Sequence, residues 1–428
     1  MKEFQQRRAR LMNQLGDGVL LMAGAVSSTR NSDVDYPFRQ DSDFFYLTGF
    51  SEPDSFLIIE NEKSKLRTTL LVPPKDKVKE IWNGKRAGEE GAVAEFGVDE
   101  AFSNADLETV LKEKLQGREV LFYEFSRDFD LDHALLDILR ELREVKRADL
   151  EFVQKIQFYG RSLWHLRQLK GSYDLEKMKE AVRVTANANE KVLGCLKPGM
   201  NEAEIYALLE YEYMKSGHTS GYGSIVAGGA NATILHYTSN NAPLRPETML
   251  LIDSGCEVDL FSADVTRCYP VDGKYTDEAR QIYSIVLEAN KRAIAQCKPG
   301  SSIDQVHEEA KRVLSEGLES IGLQSSDGLD IDKFYMHRTS HWLGMDVHDV
   351  GRYQKNGEPF AFMPGMILTV EPGLYFNPDF SGVKTPYDGI GVRIEDDILI
   401  TEDGYLNLSQ AIPKEMDEIE EKMKEIGS

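Results

Sequence analysis

The chain has 428 residues, of which 41% are hydrophobic and 29% charged, and a formal net charge of −22. That is more apolar material than a single core normally holds, so two domains are expected. No apolar run approaches the roughly 20 residues of a membrane helix, which excludes a span, and an acidic chain without clustered Lys and Arg argues against nucleic acid as a partner.

The N-terminal run MKEFQQRRARLMNQL is charged and lacks the apolar centre of a secretory signal, which predicts a cytoplasmic protein. Cys195, Cys256, Cys268 and Cys297 form no CxxC pair and no zinc-finger spacing, so they read as reduced, buried apolar side chains. A basic amphipathic helix is predicted over residues 3–15. Strand-like apolar runs follow at 19–23, 44–47, 56–59 and 68–72, then helical stretches and a strand over 119–123. This alternation predicts a smaller α/β domain over residues 1–165. Residues 163–173, LWHLRQLKGSY, read as the connection, and a long helix starts at Asp174 and ends near Lys197-Pro198-Gly199. The acidic run PKEMDEIEEKMKEI at the end reads as a solvated helix.

The second domain, over residues 170–428, contains an internal duplication. Residues 188–199 (ANEKVLGCLKPG) match 289–300 (ANKRAIAQCKPG) at an offset of 101 residues. At the same offset 235–240 (LHYTSN) pair with 336–341 (MHRTSH), which sets His236 against His337. Further on, 246–255 (PETMLLIDSG) pair with 364–373 (PGMILTVEPG), which sets Asp253 against Glu371. Solenoid repeats run to roughly 20 to 50 residues. Two copies at this wider spacing predict two similar halves facing each other across a pseudo-twofold axis, with equivalent carboxylates delivered to one cleft.

The apolar run at 249–252 ends on Asp253, and Asp264 follows in SADVTR after a turn-prone Gly255 and a predicted hairpin. In the second half His341 lies in HRTSHWLGMDVHD, Glu371 closes ILTVE, and Glu395 lies in the strand-like GVRIEDDILI. Each alone has a structural reading, as a turn cap or a core histidine. Packed together without cations, four acids would repel and desolvate one another at a cost on the order of several kcal/mol. Two divalent metals resolve that conflict. A hard, oxygen-rich set without thiolates favours Mn²⁺, with Co²⁺ or Zn²⁺ also able to occupy it. A metal pair roughly 3.5 to 4 Å apart can activate a bridging water and stabilise a tetrahedral oxyanion, which is amide hydrolysis chemistry.

The runs LLIDSG, SADVTR, HWLGMDVHD, LTVEPGLY and GVRIEDD resemble the motifs of the M24 metallopeptidase family, with its pita-bread fold, and within it the Xaa-Pro aminopeptidases. FRQDSDFFYLTGFSEPDSFL and EIWNGKR resemble the N-terminal domain of those enzymes. The resemblance implies a metalloexopeptidase that removes the residue preceding an N-terminal proline. It implies that Asp253 and Asp264 hold one metal or share it, that His341 completes a site, and that Glu371 and Glu395 bridge or cap the pair. Glu371 is the implied acceptor of the proton from the attacking water. His236, His337 and His348 resemble outer histidines that position substrate and stabilise the oxyanion or departing amine. Arg393, two residues before Glu395 on one strand, would face the same way and orient the carboxylates. Tyr222 and Tyr375 match tyrosines near the substrate. Trp82 matches a residue that reaches the site of a neighbouring subunit, which implies a homodimer or homotetramer.

Proline specificity follows from the resemblance alone. The joins GRYQKNGEPFAFMPGM and EPGLYFNPDFSGVKTPYDGIGVRIE are short, which favours an aminopeptidase over an Xaa-Pro dipeptidase (prolidase), whose longer insertions close the cleft. Relatives commonly carry an arginine where this chain has Glu358-Pro359-Phe360. From a different class, a metal-free pita-bread binding or chaperone protein would be expected to have lost ligands, and all five are present. GYGSIVAG has nucleotide-loop glycines at the wrong spacing, and His307-Glu308-Glu309 lacks the second histidine of a zincin helix.

Overall fold

Strand Gly18–Ala23 is buried along nearly its whole length, and a strand of that kind needs neighbours on both edges and cover on both faces. In the computed structural model, which describes residues 2–144, 152–323 and 330–426, it lies between an antiparallel partner, Phe56–Glu62, and a parallel one, Val120–Phe122. The sheet has six strands, in the order Glu100–Ser103, Lys65–Val72, Phe56–Glu62, Gly18–Ala23, Val120–Phe122 and Lys155–Gln157. Helices Leu107–Leu115 and Phe129–Glu144 cover one face through Leu111, Leu115, Leu135 and Ile138, packed on Val19, Leu21, Ile58 and Leu71. The chain separates into two compact units, Met1–Arg167 and Gln168–Ser428, and this sheet is the body of the first.

Two elements differ from the sequence reading. Residues 44–47 are helical, within Ser42–Thr48, because Asp41 accepts a hydrogen bond from the Phe44 amide and Gly49 ends the helix at φ 67°. A four-residue apolar run does not itself distinguish strand from helix, and the caps decide. The expected connection over 163–173 is largely helical too, shared between Gly160–Gln168 and the start of Ser172–Leu193. The predicted first helix forms as Lys2–Leu15. Its basic side is buried: Arg7 and Arg8 donate to the carbonyls of Tyr46 and Leu47 at the end of helix Ser42–Thr48.

In the second unit each half begins with two packed helices, Ser172–Leu193 with Glu202–Lys215 and Asp277–Ile294 with Ile303–Ser320. Each pair feeds a three-stranded sheet: Ile225–Gly228, Met249–Ser254 and Val265–Pro270 in the first half, Ile367–Val370, Asp396–Thr401 and Gly404–Asn407 in the second. The duplication extends to single hydrogen bonds. Gly199 and Gly300, both at positive φ, donate to Leu244 and Phe362, whose own amides return to Met200 and Ser301. The halves differ at one edge, where strand Ile225–Gly228 is matched only by the bridge Trp342↔Leu368.

Between Met249–Ser254 and Val265–Pro270 the chain makes the small hairpin Cys256–Val258 with Phe261–Ser262. Gly255 lets this excursion close, since a Cβ there would lie 1.7 Å from the Ala263 carbonyl oxygen. Gly255→Ala must therefore push the two strand ends apart, and overpacking against backbone of this kind is expected to cost about 3 kcal/mol or more. Urea or thermal unfolding of the variant checks this; an unchanged midpoint would contradict it.

Candidate metal centre

Strands Met249–Ser254 and Val265–Pro270 pair antiparallel with Asp253 opposite Thr266, so Asp264, one residue before the second strand, is brought beside Asp253. The Tyr222 hydroxyl lies 2.6 Å from Oδ1 of both acids. A phenol has one proton to give, so one of these two short contacts needs a further positive charge. The second half supplies Glu371, just past strand Ile367–Val370 and anchored by its amide to the Thr339 carbonyl at 2.8 Å. It also supplies Glu395, whose amide donates to the Thr266 carbonyl at 3.1 Å. Glu395 is not inside a continuous strand as expected from GVRIEDDILI: Gly391–Arg393 pairs with Gly373–Tyr375, Asp396–Thr401 pairs with Ile367–Val370, and Glu395 sits at the break. The change of partner there turns its side chain toward the first half.

His341 completes the group. Its Nδ1 lies 3.1 Å from the Trp342 carbonyl and donates to it, which leaves Nε2 facing Asp264 at 3.4 Å and Glu371 at 3.7 Å. Ligand atoms of Asp264, His341 and Glu395 all lie within 4.8 Å of one another. Asp253, Asp264 and Glu395 are almost fully buried. Burial, together with the neighbouring acids, pushes the carboxyl of Glu395 well above its usual range and that of Glu371 up to about 7. Burial opposes the charge on His341 also, yet Asp264 and Glu371 raise it to about 9. The protein alone thus recruits protons to a point where four carboxylates converge, and this donor set fits a divalent cation.

One cavity of about 680 Å³ opens over this group, lined by Asp253, Asp264, His341, Glu371, Glu395, Arg393 and the outer histidines His236, His337 and His348, together with Asp304, Arg338 and others. The sequence profile of metallopeptidase family M24 matches residues 176–402, and that of the aminopeptidase P N-terminal domain matches residues 4–123. The chain belongs to metallopeptidase family M24. An Xaa-Pro aminopeptidase of Haemophilus influenzae is 38% identical over 433 residues, covering 99% of this chain and 97% of the relative. Among solved structures, the Pseudomonas aeruginosa aminopeptidase PepP matches with a TM-score of 0.95 at 37% identity, over 100% of this chain and 98% of its own. A zinc-substituted Escherichia coli aminopeptidase P in complex with product matches with a TM-score of 0.94 at 35% identity, over 99% and 98%. The fold is accordingly the pita-bread fold expected from the motifs, preceded by a smaller α/β domain, and M24 membership with this acid cluster makes it a divalent-metal protein.

Within this M24 site the other expected residues take distinct places. Arg393 is 4% exposed and spends its guanidinium inward, on Asp253 Oδ2 at 2.6 Å, Thr266 Oγ1 at 3.0 Å and the Tyr375 hydroxyl at 3.0 Å. Tyr222 and Tyr375, expected at the substrate, are not among the cleft-lining side chains; they brace the acids, Arg393 and His337 from behind. His337 Nδ1 donates to the Arg338 carbonyl at 2.8 Å, so Nε2 accepts from the Tyr375 hydroxyl at 2.8 Å. Burial and Arg393 lower its pKa to about 3, and it stands neutral. His348 stacks edge-on against His341 with ring centroids 4.4 Å apart, while His236 lines the cleft from a turn. Trp82 lies in the first unit, 82% exposed on helix Lys77–Asn83, and all the cleft-lining residues belong to the second.

Sequence reasoning missed the residues that hold the site. Thr266 accepts from Arg393 and donates to Glu395 Oε2 at 2.6 Å, which ties the two halves together. Glu202 is fully buried and accepts from Gly228 N, Asn231 Nδ2, Tyr237 OH and Ala242 N, fixing the loop that carries His236. Lys170 pairs with Asp349 at 3.0 Å, both side chains 1% exposed, and the Asp349 amide donates to Trp342, which closes the loop between His341 and His348. The capping pattern N-E-A-E at 201–204 was the one sequence signal available for any of them.

Two outcomes follow. Lys170→Met leaves Asp349 buried without its cation, so a loss of about 3 to 5 kcal/mol is expected in chemical denaturation; a loss under about 1 kcal/mol would show that the pair is dispensable. Thr266→Val keeps the side-chain shape and deletes the hydroxyl shared by Arg393 and Glu395. Metal affinity is expected to fall roughly 10- to 100-fold, as for other residues that orient ligands, measured by titration calorimetry of the metal-stripped protein.

Proposed function

We propose that this chain hydrolyses the peptide bond between an N-terminal residue and a following proline, using a pair of divalent metals held by Asp253, Asp264, His341, Glu371 and Glu395. The observation that carries the reading is the convergence of buried acids from both halves on the Nε2 side of His341. The names of relatives similar over almost the whole chain support proline at the second position of the substrate. Bound metals would supply a water of lowered pKa and a counter-charge for the tetrahedral oxyanion.

The chain's own residues account for the remaining tasks. Glu371, placed in the cleft beside the acids of both halves, receives the proton of the attacking water and passes it toward the departing amine. His236 and His348 on the cleft hold the substrate carbonyl and the proline nitrogen, and His337, neutral and with both ring nitrogens committed to Arg338 and Tyr375, walls the site beside Glu371. Burial raises the carboxyl pKa of Asp253, and Arg393 opposes that rise and aims the side chain. Proline has no amide hydrogen to donate, so recognition at that position rests on shape and on contacts to its carbonyl.

The hard donor set favours Mn²⁺, with Co²⁺ or Zn²⁺ as substitutes. A homodimer or homotetramer is supported by helix Lys77–Asn83, which buries none of its residues and exposes Val78, Ile81 and Trp82 by 66%, 81% and 82%. No helix among the described residues is long and apolar enough to cross a membrane.

Glu371→Gln is expected to lower kcat on Ala-Pro-Ala by about 10²- to 10⁴-fold, the usual range for a positioned base. Chelation is expected to abolish hydrolysis and added Mn²⁺ to restore it. Preference for the dipeptide Ala-Pro over Ala-Pro-Ala would move the assignment to prolidase, and chelator-resistant hydrolysis would remove the metal from the reaction.

A further inference from the structure

Among the described residues, two with fixed positive charge line the cleft, Arg393 and Arg338. Arg393 is buried and spent on Asp253, Thr266 and Tyr375. Arg338 differs in every respect. Its side chain is 57% exposed, and its ion-pair partner Asp304 is 43% exposed. Its backbone is rigidly mounted: its carbonyl accepts from His337, and the next residue, Thr339, is buried and held by His307 and by the Glu371 amide. Asp304 stands in the first turn of helix Ile303–Ser320, where a negative charge is stabilised without any cation. An exposed ion pair of this kind contributes little, so a ligand anion can replace Asp304 at small cost.

We propose that Arg338 is a specificity-determining residue that binds the C-terminal carboxylate of short peptide substrates. The inference rests on the aminopeptidase reading above and adds a contact for the far end of the bound peptide. The acids Asp253, Asp264 and Glu395 form the buried floor of the cleft, and because the bond cut there is the first of the peptide, the N-terminal residue must lie at that floor. The opposite end of a short peptide carries a carboxylate and must point to the open rim, where Arg338 is the exposed cation among the described lining residues. The position of the cut thus fixes the direction of the peptide, and Arg338 favours lengths whose carboxylate reaches the rim. Residues spaced at about 3.3 to 3.6 Å in an extended chain make that contact sensitive to a single residue of length.

The test compares Ala-Pro-Ala with its C-terminal amide, Mn²⁺ being supplied, and reads the ratio of kcat/KM for acid over amide. The wild-type ratio is expected to be roughly three- to tenfold, carried by KM, as befits one charge-assisted contact at a solvated rim. Arg338→Met should collapse the ratio toward one, Arg338→Lys should retain part of it, and Asp304→Asn, which frees the guanidinium, should raise it. Each variant's own turnover of the amide reports that it is folded. A ratio that survives in Arg338→Met, or a wild-type ratio near one, overturns the proposal. Failure of the wild-type protein to hydrolyse either peptide would overturn the aminopeptidase reading itself, a result distinguishable from the others.

Discussion

Like charges brought together out of water repel, and the second unit is organised around making that repulsion useful. Asp253 and Asp264 come from one half, Glu371 and Glu395 from the other, and each is held by a bond that crosses or abuts the seam. The buried guanidinium of Arg267 does the same one layer deeper, donating to the Glu395 carbonyl at 2.5 Å and to Asp396 at 2.8 Å. Burial opposes the charge on Asp396, but Arg267 and Lys414 hold its carboxyl well below the usual range. Asp349 and Asp396 are therefore neutralised by fixed cations, and at the cleft Asp253 has Arg393, whereas Asp264, Glu371 and Glu395 are left for a mobile cation.

This division explains why neighbouring residues of one sequence run differ so sharply. In Glu395-Asp396-Asp397, the first faces the cleft, the second the Arg267 and Lys414 cations, and the third accepts from the Asp264 amide at 3.2 Å. Alternation along the chain sends adjacent side chains to opposite faces, and the break before Asp396 lets Glu395 follow the other half rather than its own strand.

Much of this was legible before any coordinates. The duplication was visible because the Pro-Gly junctions and the paired histidines recur at one spacing and the strand-end acids follow in the same order, and the structure repeats it down to the amide bonds of Gly199 and Gly300. The charged cluster was legible because acids that end apolar runs stand out from solvated ones. What stayed hidden depends on partners distant in the chain. Thr266 and Lys170 are ordinary residues in sequence, and their importance lies in contacts to Glu395 and Asp349 that no local pattern announces. The helix over Ser42–Thr48 escaped for a related reason, since its identity rests on the caps at Asp41 and Gly49 rather than on its apolar content.

Because the two sheets each contribute only part of the donor set, neither lobe has more than a fragment of it until they dock. Any ion captured there acts as a rivet between the lobes, and its binding free energy is added to their association by simple linkage. The amide matches at Leu244 and Phe362 give the lobes the same internal scaffold, so such a rivet clamps two near copies face to face.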